Sequence, residues 1–181
     1  MKNIFAICGS TKASSTNQLY IKAIGRLLPT DFNLEVLPSI ADIPHFNPDL
    51  DIDPLPESVI RFRNKIERAD GILICTPEYA MGLPGSLKNV LDWTVSSASI
   101  SKKPVLSVIA SSQGEKAFQS LIDILTVIEA EVFPLLISFA KTKINDQFNI
   151  TDKHTLESLH TQITDFVEAV NRLRAKNNLF P

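Results

Sequence analysis

The sequence predicts an α/β sandwich of three layers, and three observations carry that prediction. Five short, β-branched apolar runs recur along 181 residues. Stretches of helical periodicity separate them. The first, third and fourth runs are apolar without alternation, as strands of a parallel sheet covered on both faces must be. Strands alternating with helices give a parallel sheet with helices on both sides, because each crossover has to return the chain to the same end. At this length one packed domain spanning 1–181 is expected.

In order, "NIFAIC" (3–8) is the first strand, too short for an amphipathic surface helix. The positions Leu19, Ala23 and Leu27, with Tyr20, Ile24 and Leu28, recur every four residues and place one apolar stripe on a helix over about 16–28. "NLEVL" (33–37) is the second strand. The segment 38–56, "PSIADIPHFNPDLDIDPLP", holds five prolines and no periodicity, so it is a long surface loop near the ligand edge of the sheet. Val59, Phe62, Ile66 and Ala69 mark a second helix, and "GILIC" (71–75) the third strand. A third helix begins at Pro84, with Leu87, Val90, Leu91 and Thr94 on one side. "PVLSVIA" (104–110), a helix through Leu121, Leu125 and Ile128, and "FPLLISF" (133–139) follow. The last helix, about 153–176, repeats Leu156, Leu159, Ile163, Phe166, Val170 and Leu173, and Asp152 is placed to cap it.

Composition excludes several classes. The formal net charge is −2 and no basic block occurs, so no nucleic-acid footprint is present. The first apolar run is too brief for a signal-peptide core or a membrane span, which points to a soluble, cytoplasmic protein without a membrane partner. His45, His154 and His160 are scattered, and no metal-ligand spacing appears. Cys8 and Cys75 end two strands. Two small buried thiols are the simpler reading, and a redox pair the sharper one.

Ligands of open α/β sheets gather beyond the carboxyl ends of the strands, so the loops 9–17, 76–86 and 111–117 are the candidate site. "GSTKASSTN" joins a strand to a helix N-terminus. Its hydroxyls, Lys12 and Asn17, with backbone N–H groups and the helix dipole, suit a phosphate. Ser15 and Gln18 also fit a capping box, which is compatible with that guest. No second glycine completes a Walker A loop, and no arginine closes a cradle for Cys8 as a phosphatase nucleophile. "TPEYAMGLPG" is stiffened by proline and opened by glycine, so its backbone around Glu78 to Gly82 can meet the edge of a flat heterocycle. "SSQGEK" (111–116) places Gly114 beside another helix start. Together the loops outline a mononucleotide site.

These residues resemble the NADPH-dependent FMN reductases, a flavodoxin-like family. The family phosphate loop reads approximately G-S-x-R-x-x-S-x-N, matched by Gly9, Ser10, Lys12 (a lysine for the arginine), Ser15 and Asn17. The ring loop reads approximately T-P-E-Y-N-x-S-x-P-G-x-L-K-N-x-x-D-W. It is matched by Thr76, Pro77, Glu78 and Tyr79, then by Pro84, Gly85, Leu87, Lys88, Asn89, Asp92 and Trp93, with Ala80 and Gly82 as departures. The resemblance implies a five-stranded parallel sheet in order 2-1-3-4-5. It implies FMN as cofactor, held by Ser10, Lys12, Ser15, Thr16 and Asn17 at the phosphate. Pro77, Glu78, Tyr79, Ala80, Met81 and Gly82 would lie along the ring, with Ser111, Gln113 and Gly114 at its border. It further implies NADPH or NADH as electron donor, a quinone, free flavin or other small molecule as acceptor, and ping-pong turnover. No acid–base side chain is required, since the cofactor carries the chemistry. A homodimer or homotetramer is implied, packed through 84–96 and 115–129. The alternative is a flavodoxin-like electron carrier or FMN-dependent binding module that turns over no nicotinamide, and a third possibility is an interaction protein that has lost the flavin.

Overall fold

A computed structural model describes residues 1–179. Its strands are β1 (Lys2–Cys8), β2 (Phe32–Val36), β3 (Gly71–Thr76), β4 (Pro104–Ala110) and β5 (Glu131–Ile137). All pair in parallel, in the order β2-β1-β3-β4-β5. The helices are α1 (Thr16–Leu27), α2 (Glu57–Arg68), α3 (Gly85–Asp92), α4 (Glu115–Val127) and α5 (Lys153–Leu179).

Alternation along the strands divides the core in two. Phe5, Ile7, Ile72, Ile74, Val105 and Ile109 face α2, α3 and α4. Ile4, Ala6, Leu73, Leu106 and Val108 face α1 and α5. β3 and β4 are buried along their whole length, as their unbroken apolar sequences predict, whereas the edge strands β2 and β5 are only partly covered. Pro134 falls in β5, at the sheet edge where a missing N–H is tolerated.

Two expected boundaries shift. β5 ends at Ile137, not 139, because Phe139 turns the chain in the left-handed region at φ 53°. Pro84 is the residue flanking α3 and not its first residue. Asp152 caps α5 as expected, its Oδ2 accepting from the Thr155 N–H (2.9 Å) and hydroxyl (2.6 Å). The Thr155 hydroxyl beside it holds the Asp152 carboxyl below the usual carboxylate range.

The five-proline segment is held tightly although it has little regular structure. Asn89 accepts the Phe46 N–H (2.7 Å) and donates to the Pro44 carbonyl (3.0 Å). The Trp93 indole N–H donates to that same carbonyl (2.8 Å), and Phe46 stacks edge-on against the indole. Arg63 bonds to the Trp93 carbonyl (2.7 Å), the Ser96 hydroxyl (2.9 Å) and Asp51 (2.7 Å). Asn89 and Trp93 therefore clamp this loop. His45 between the clamped residues is exposed, as are His154 and His160 on α5.

Candidate functional site

The carboxyl ends of β1, β3 and β4 open onto a groove of about 870 Å³. Its first wall is the loop after β1. The Gly9 N–H donates to the Cys75 carbonyl (2.8 Å), bringing the ends of β1 and β3 so close that a Cβ at position 9 would lie 2.0 Å from Thr76 Oγ1. Only glycine permits this approach. Beyond it Ser10 and Ser15 are buried, while Lys12 is exposed. Ser15 is the N-cap of α1, but its hydroxyl accepts from the Asn17 N–H (3.2 Å), not from Gln18 as a capping box would have it. Asn17 is buried, and its side chain is committed to the sheet. The amide donates to the Ala110 carbonyl (3.3 Å) and its oxygen accepts from the Cys75 thiol (3.3 Å). Asn17 thus fixes where α1 begins, and it lines the groove together with Ser10, Lys12, Ser15 and Thr16.

Both cysteines are free and buried, and Cys8 pairs in register with Cys75. Burial pushes the Cys75 thiol well up, with nearby Cys8 adding to it, and burial likewise raises Cys8. Neither is poised as a thiolate nucleophile.

The second wall is the loop after β3, of which Pro77, Glu78 and Tyr79 line the groove. Glu78 acts on its neighbours through both ends. Its N–H donates to the Ser111 hydroxyl (3.2 Å), and its Oε2 accepts from the Lys116 and Ala117 N–H groups (3.0 Å each). Gly114, the N-cap of α4 at φ 114°, has no side chain to satisfy those donors, so the carboxylate caps α4 from another loop. Tyr79 reaches across the groove, its phenol oxygen 3.3 Å from Ser10 Oγ. Tyr79 and Gly82 exchange backbone hydrogen bonds (2.9 and 3.0 Å) around Ala80 and Met81 at φ 48° and 63°. Two positive φ values define a type I′ turn, and here neither falls on glycine. Ala80 and Met81 form the exposed tip and Gly82 beside them is half-buried; none of the three lines the groove, and a Cβ at Gly82 would meet nothing within 4 Å.

Ser111, the third predicted contact region, lines the groove together with Ser112. Gln113 and Gly114 lie outside it. The Gln113 carbonyl accepts from the Ser138 hydroxyl (3.4 Å), and a Cβ on Gly114 would strike Ile109 and Leu136 at 2.9 Å. Sequence reasoning missed a fourth wall, the segment after β5. Phe139, Ala140, Lys141 and Thr142 line the groove from the side of α1. The Phe139 and Ala140 N–H groups donate to the Ser112 and Ser111 carbonyls (3.1 and 3.0 Å), and the Tyr20 hydroxyl donates to the Ala140 carbonyl (3.0 Å). A bulky residue in the left-handed region costs on the order of 1–3 kcal/mol. The available signal was position alone, since β5 ends at the same edge of the sheet as the other strands.

Among the described residues no His/Cys/Asp/Glu cluster could hold a metal, and no helix is long and apolar enough to cross a membrane. The donors fit a phosphate-bearing flat ring. Hydroxyls and a lysine gather where α1 begins, a glycine-enforced close approach lies beneath them, and two loops tied through Glu78 stand at the other end.

Sheet order and site together define a flavodoxin-like mononucleotide-binding protein. Comparison with known proteins gives the family: the model of the NADPH-dependent FMN reductases matches residues 2–143, and the chain belongs to that family. It is an oxidoreductase that employs FMN and a reduced nicotinamide. Over 94% of this chain and 96% of the relative, it is 30% identical to a quinone reductase of Escherichia coli K12. It is 31% identical, over the same shares, to an NAD(P)H-dependent FMN reductase of Pseudomonas aeruginosa. Among solved structures, the flavoenzyme NAD(P)H:(acceptor) oxidoreductase FerB of Paracoccus denitrificans superposes with a TM-score of 0.79 at 26% identity. That match covers 95% of this chain and 98% of that one.

Proposed function

We propose that this chain passes electrons from NADPH or NADH to a quinone, with free flavin or another small molecule as further acceptors, and that donor and acceptor take turns in the groove by ping-pong kinetics. The groove carries the reading: hydroxyls and Lys12 of the loop after β1 line it together with Pro77, Glu78 and Tyr79 after β3 and Ser111 after β4, a lining that suits a phosphate and a flat ring. The names of the quinone reductase relatives support the acceptor class. Ser10, Lys12, Ser15 and Thr16 hold the phosphate of FMN, with Asn17 fixing the helix start behind them. Pro77, Glu78 and Tyr79 present backbone to the ring, and Ser111 borders it. Ala80, Met81 and Gly82 shape the turn that positions Tyr79, and Gln113 and Gly114 shape the start of α4. FMN, when bound, supplies the two-electron chemistry between nicotinamide and acceptor.

The chain acts as one FMN-binding domain over 1–181 in a cytoplasmic homodimer or homotetramer packed through 84–96 and 115–129. Val95 and Val127, exposed by 56% and 80%, are apolar surface in or beside those segments. The deciding experiment is anaerobic. Protein reconstituted with FMN should bleach on NADPH or NADH and regain its colour on adding a quinone, with parallel double-reciprocal lines. A flavin that stays oxidised with either donor refutes the reductase reading, and intersecting lines refute the ping-pong scheme.

A further inference from the structure

The segment after β5 places a second free ammonium group beside the phosphate cradle. Lys12, from the loop after β1, and Lys141, from the segment after β5, line the same groove, and among the described residues neither has an acidic partner within 4.0 Å. Lys22, the third lysine on the groove, is engaged elsewhere, its ammonium 4.7 Å from the centre of the Phe148 ring. The acids lining the groove are Asp146, exposed on the same segment, and Glu78, whose carboxylate is occupied with α4. No arginine lines the groove. A phosphate monoester carries close to two negative charges at neutral pH. One lysine, a compact point charge without the guanidinium fork, meets such a dianion on one side only.

We propose that Lys141 is a phosphate-binding residue of the FMN site, completing with Lys12 a two-sided cationic clamp across the start of α1. The assignment rests on the reading of the groove as an FMN site. What favours Lys141 over an ordinary surface lysine is the anchoring of its turn. Ala140, immediately before it, is 1% exposed, its N–H donates to the Ser111 carbonyl and its own carbonyl accepts from Tyr20. The Thr142 hydroxyl, immediately after, donates to the Phe139 carbonyl (2.9 Å). Lys141 therefore starts from fixed backbone, and only side-chain freedom is lost when it reaches an anion. Phe139, at φ 53°, turns the chain two residues before Lys141.

Riboflavin, which has the ring but no phosphate, separates a phosphate contact from general support of the site. FMN and riboflavin are each titrated into the flavin-free protein, following quenching of flavin fluorescence, for wild type, Lys141→Gln, Lys141→Arg and, as a control, Lys153→Gln on exposed α5. Lys141→Gln is expected to weaken FMN about tenfold, as for one charge-assisted hydrogen bond at a partly exposed site. Riboflavin affinity should change less than about twofold, and Lys141→Arg should recover most of the FMN affinity. The salt dependence of FMN binding should flatten in Lys141→Gln and stay unaltered in Lys153→Gln. Equal losses for FMN and riboflavin would make Lys141 a support of the groove and overturn the assignment. Unchanged FMN affinity in Lys141→Gln, with wild type binding FMN, overturns it while leaving the cofactor reading intact. A wild type that binds neither flavin overturns both.

Discussion

The turn at Ala80 and Met81 stores strain that a two-residue exchange should release. Both residues occupy the left-handed region, at φ 48° and 63°, where an L-residue with a Cβ is disfavoured by roughly 1–2 kcal/mol. Asn-Gly is the pair that type I′ turns favour, glycine without penalty and asparagine with little. Met81 is 66% exposed and Ala80 lies at the same tip, so Ala80→Asn with Met81→Gly sacrifices little buried area. Against the gain stands the larger unfolded-state entropy of glycine, roughly 0.5–1 kcal/mol. The net is a stabilisation of about 1 kcal/mol, which for a domain of this size raises Tm by about 2–4 °C. Urea unfolding should show a higher midpoint with an unchanged slope, because the surface exposed on unfolding is the same. If FMN meets the backbone of Glu78 and Tyr79 and not the tip, its affinity should hold within about threefold. An unchanged or lower midpoint would refute the reasoning, since it would mean that the Tyr79–Gly82 bonds do not impose positive φ on both residues.

Two further outcomes follow from the cross-loop bonds. Glu78→Ala strips α4 of its cap and should cost about 1–2 kcal/mol, measured as a Tm lower by about 2–8 °C, with Glu78→Gln intermediate because it keeps an acceptor but loses the charge. Asp51→Asn should cost about 1–3 kcal/mol by leaving the buried Arg63 guanidinium without its anion. The Asp51 carboxyl is held below its ordinary value, since bonds from Ser96 and Arg63 outweigh the burial that opposes them. Its contribution is therefore complete above the unfolded carboxylate value near 3.9 and is lost as pH falls through the lower folded one. Wild type and Asp51→Asn should accordingly converge in urea stability below about pH 4, and a gap that persists or widens there would contradict the ion pair.

The parts of this fold that were legible in the sequence are those where burial on both faces leaves no choice of residue. β1, β3 and β4 are read directly from unbroken apolar runs, and α1 and α5 from their stripes. β5 is partly exposed, and its apolar run continues through Phe139. Nothing in composition marks where it stops, because the stop is a backbone conformation on an aromatic residue. The same fact hid the fourth wall of the groove. Composition did locate the loops after β1 and β3, but it did not tell which side chains face a ligand. Asn17 has the chemistry of a phosphate donor and lines the groove, yet its amide also bonds to the Ala110 carbonyl and the Cys75 thiol, a role composition does not reveal. Gly82 suggested a turn that needs glycine, whereas the positive φ values fall on the two residues before it.

A shared division of labour underlies these departures. In the stretch from Thr76 to Trp93, the most distinctive of the chain, Glu78 caps α4 while Asn89 and Trp93 clamp the five-proline loop. Glu78, Asn89 and Trp93 are thus turned toward other loops, which on the proposed reading leaves backbone to face the ring. The physical advantage is preorganisation. A ring bound mainly by backbone amides needs those amides fixed before it arrives, since every loop ordered on binding subtracts from affinity. The loops after β3 and β4 are tied by Glu78 to Ser111, and those after β4 and β5 by Ser111 and Ser112 to Ala140 and Phe139. The Tyr79 phenol beside Ser10 joins the first pair back to the phosphate loop. Four loops so joined act as one rim, so loosening any single tie should weaken ring and phosphate binding together. Removing a true phosphate contact should weaken only the second, and that contrast gives the comparison of FMN with riboflavin its power at Lys141.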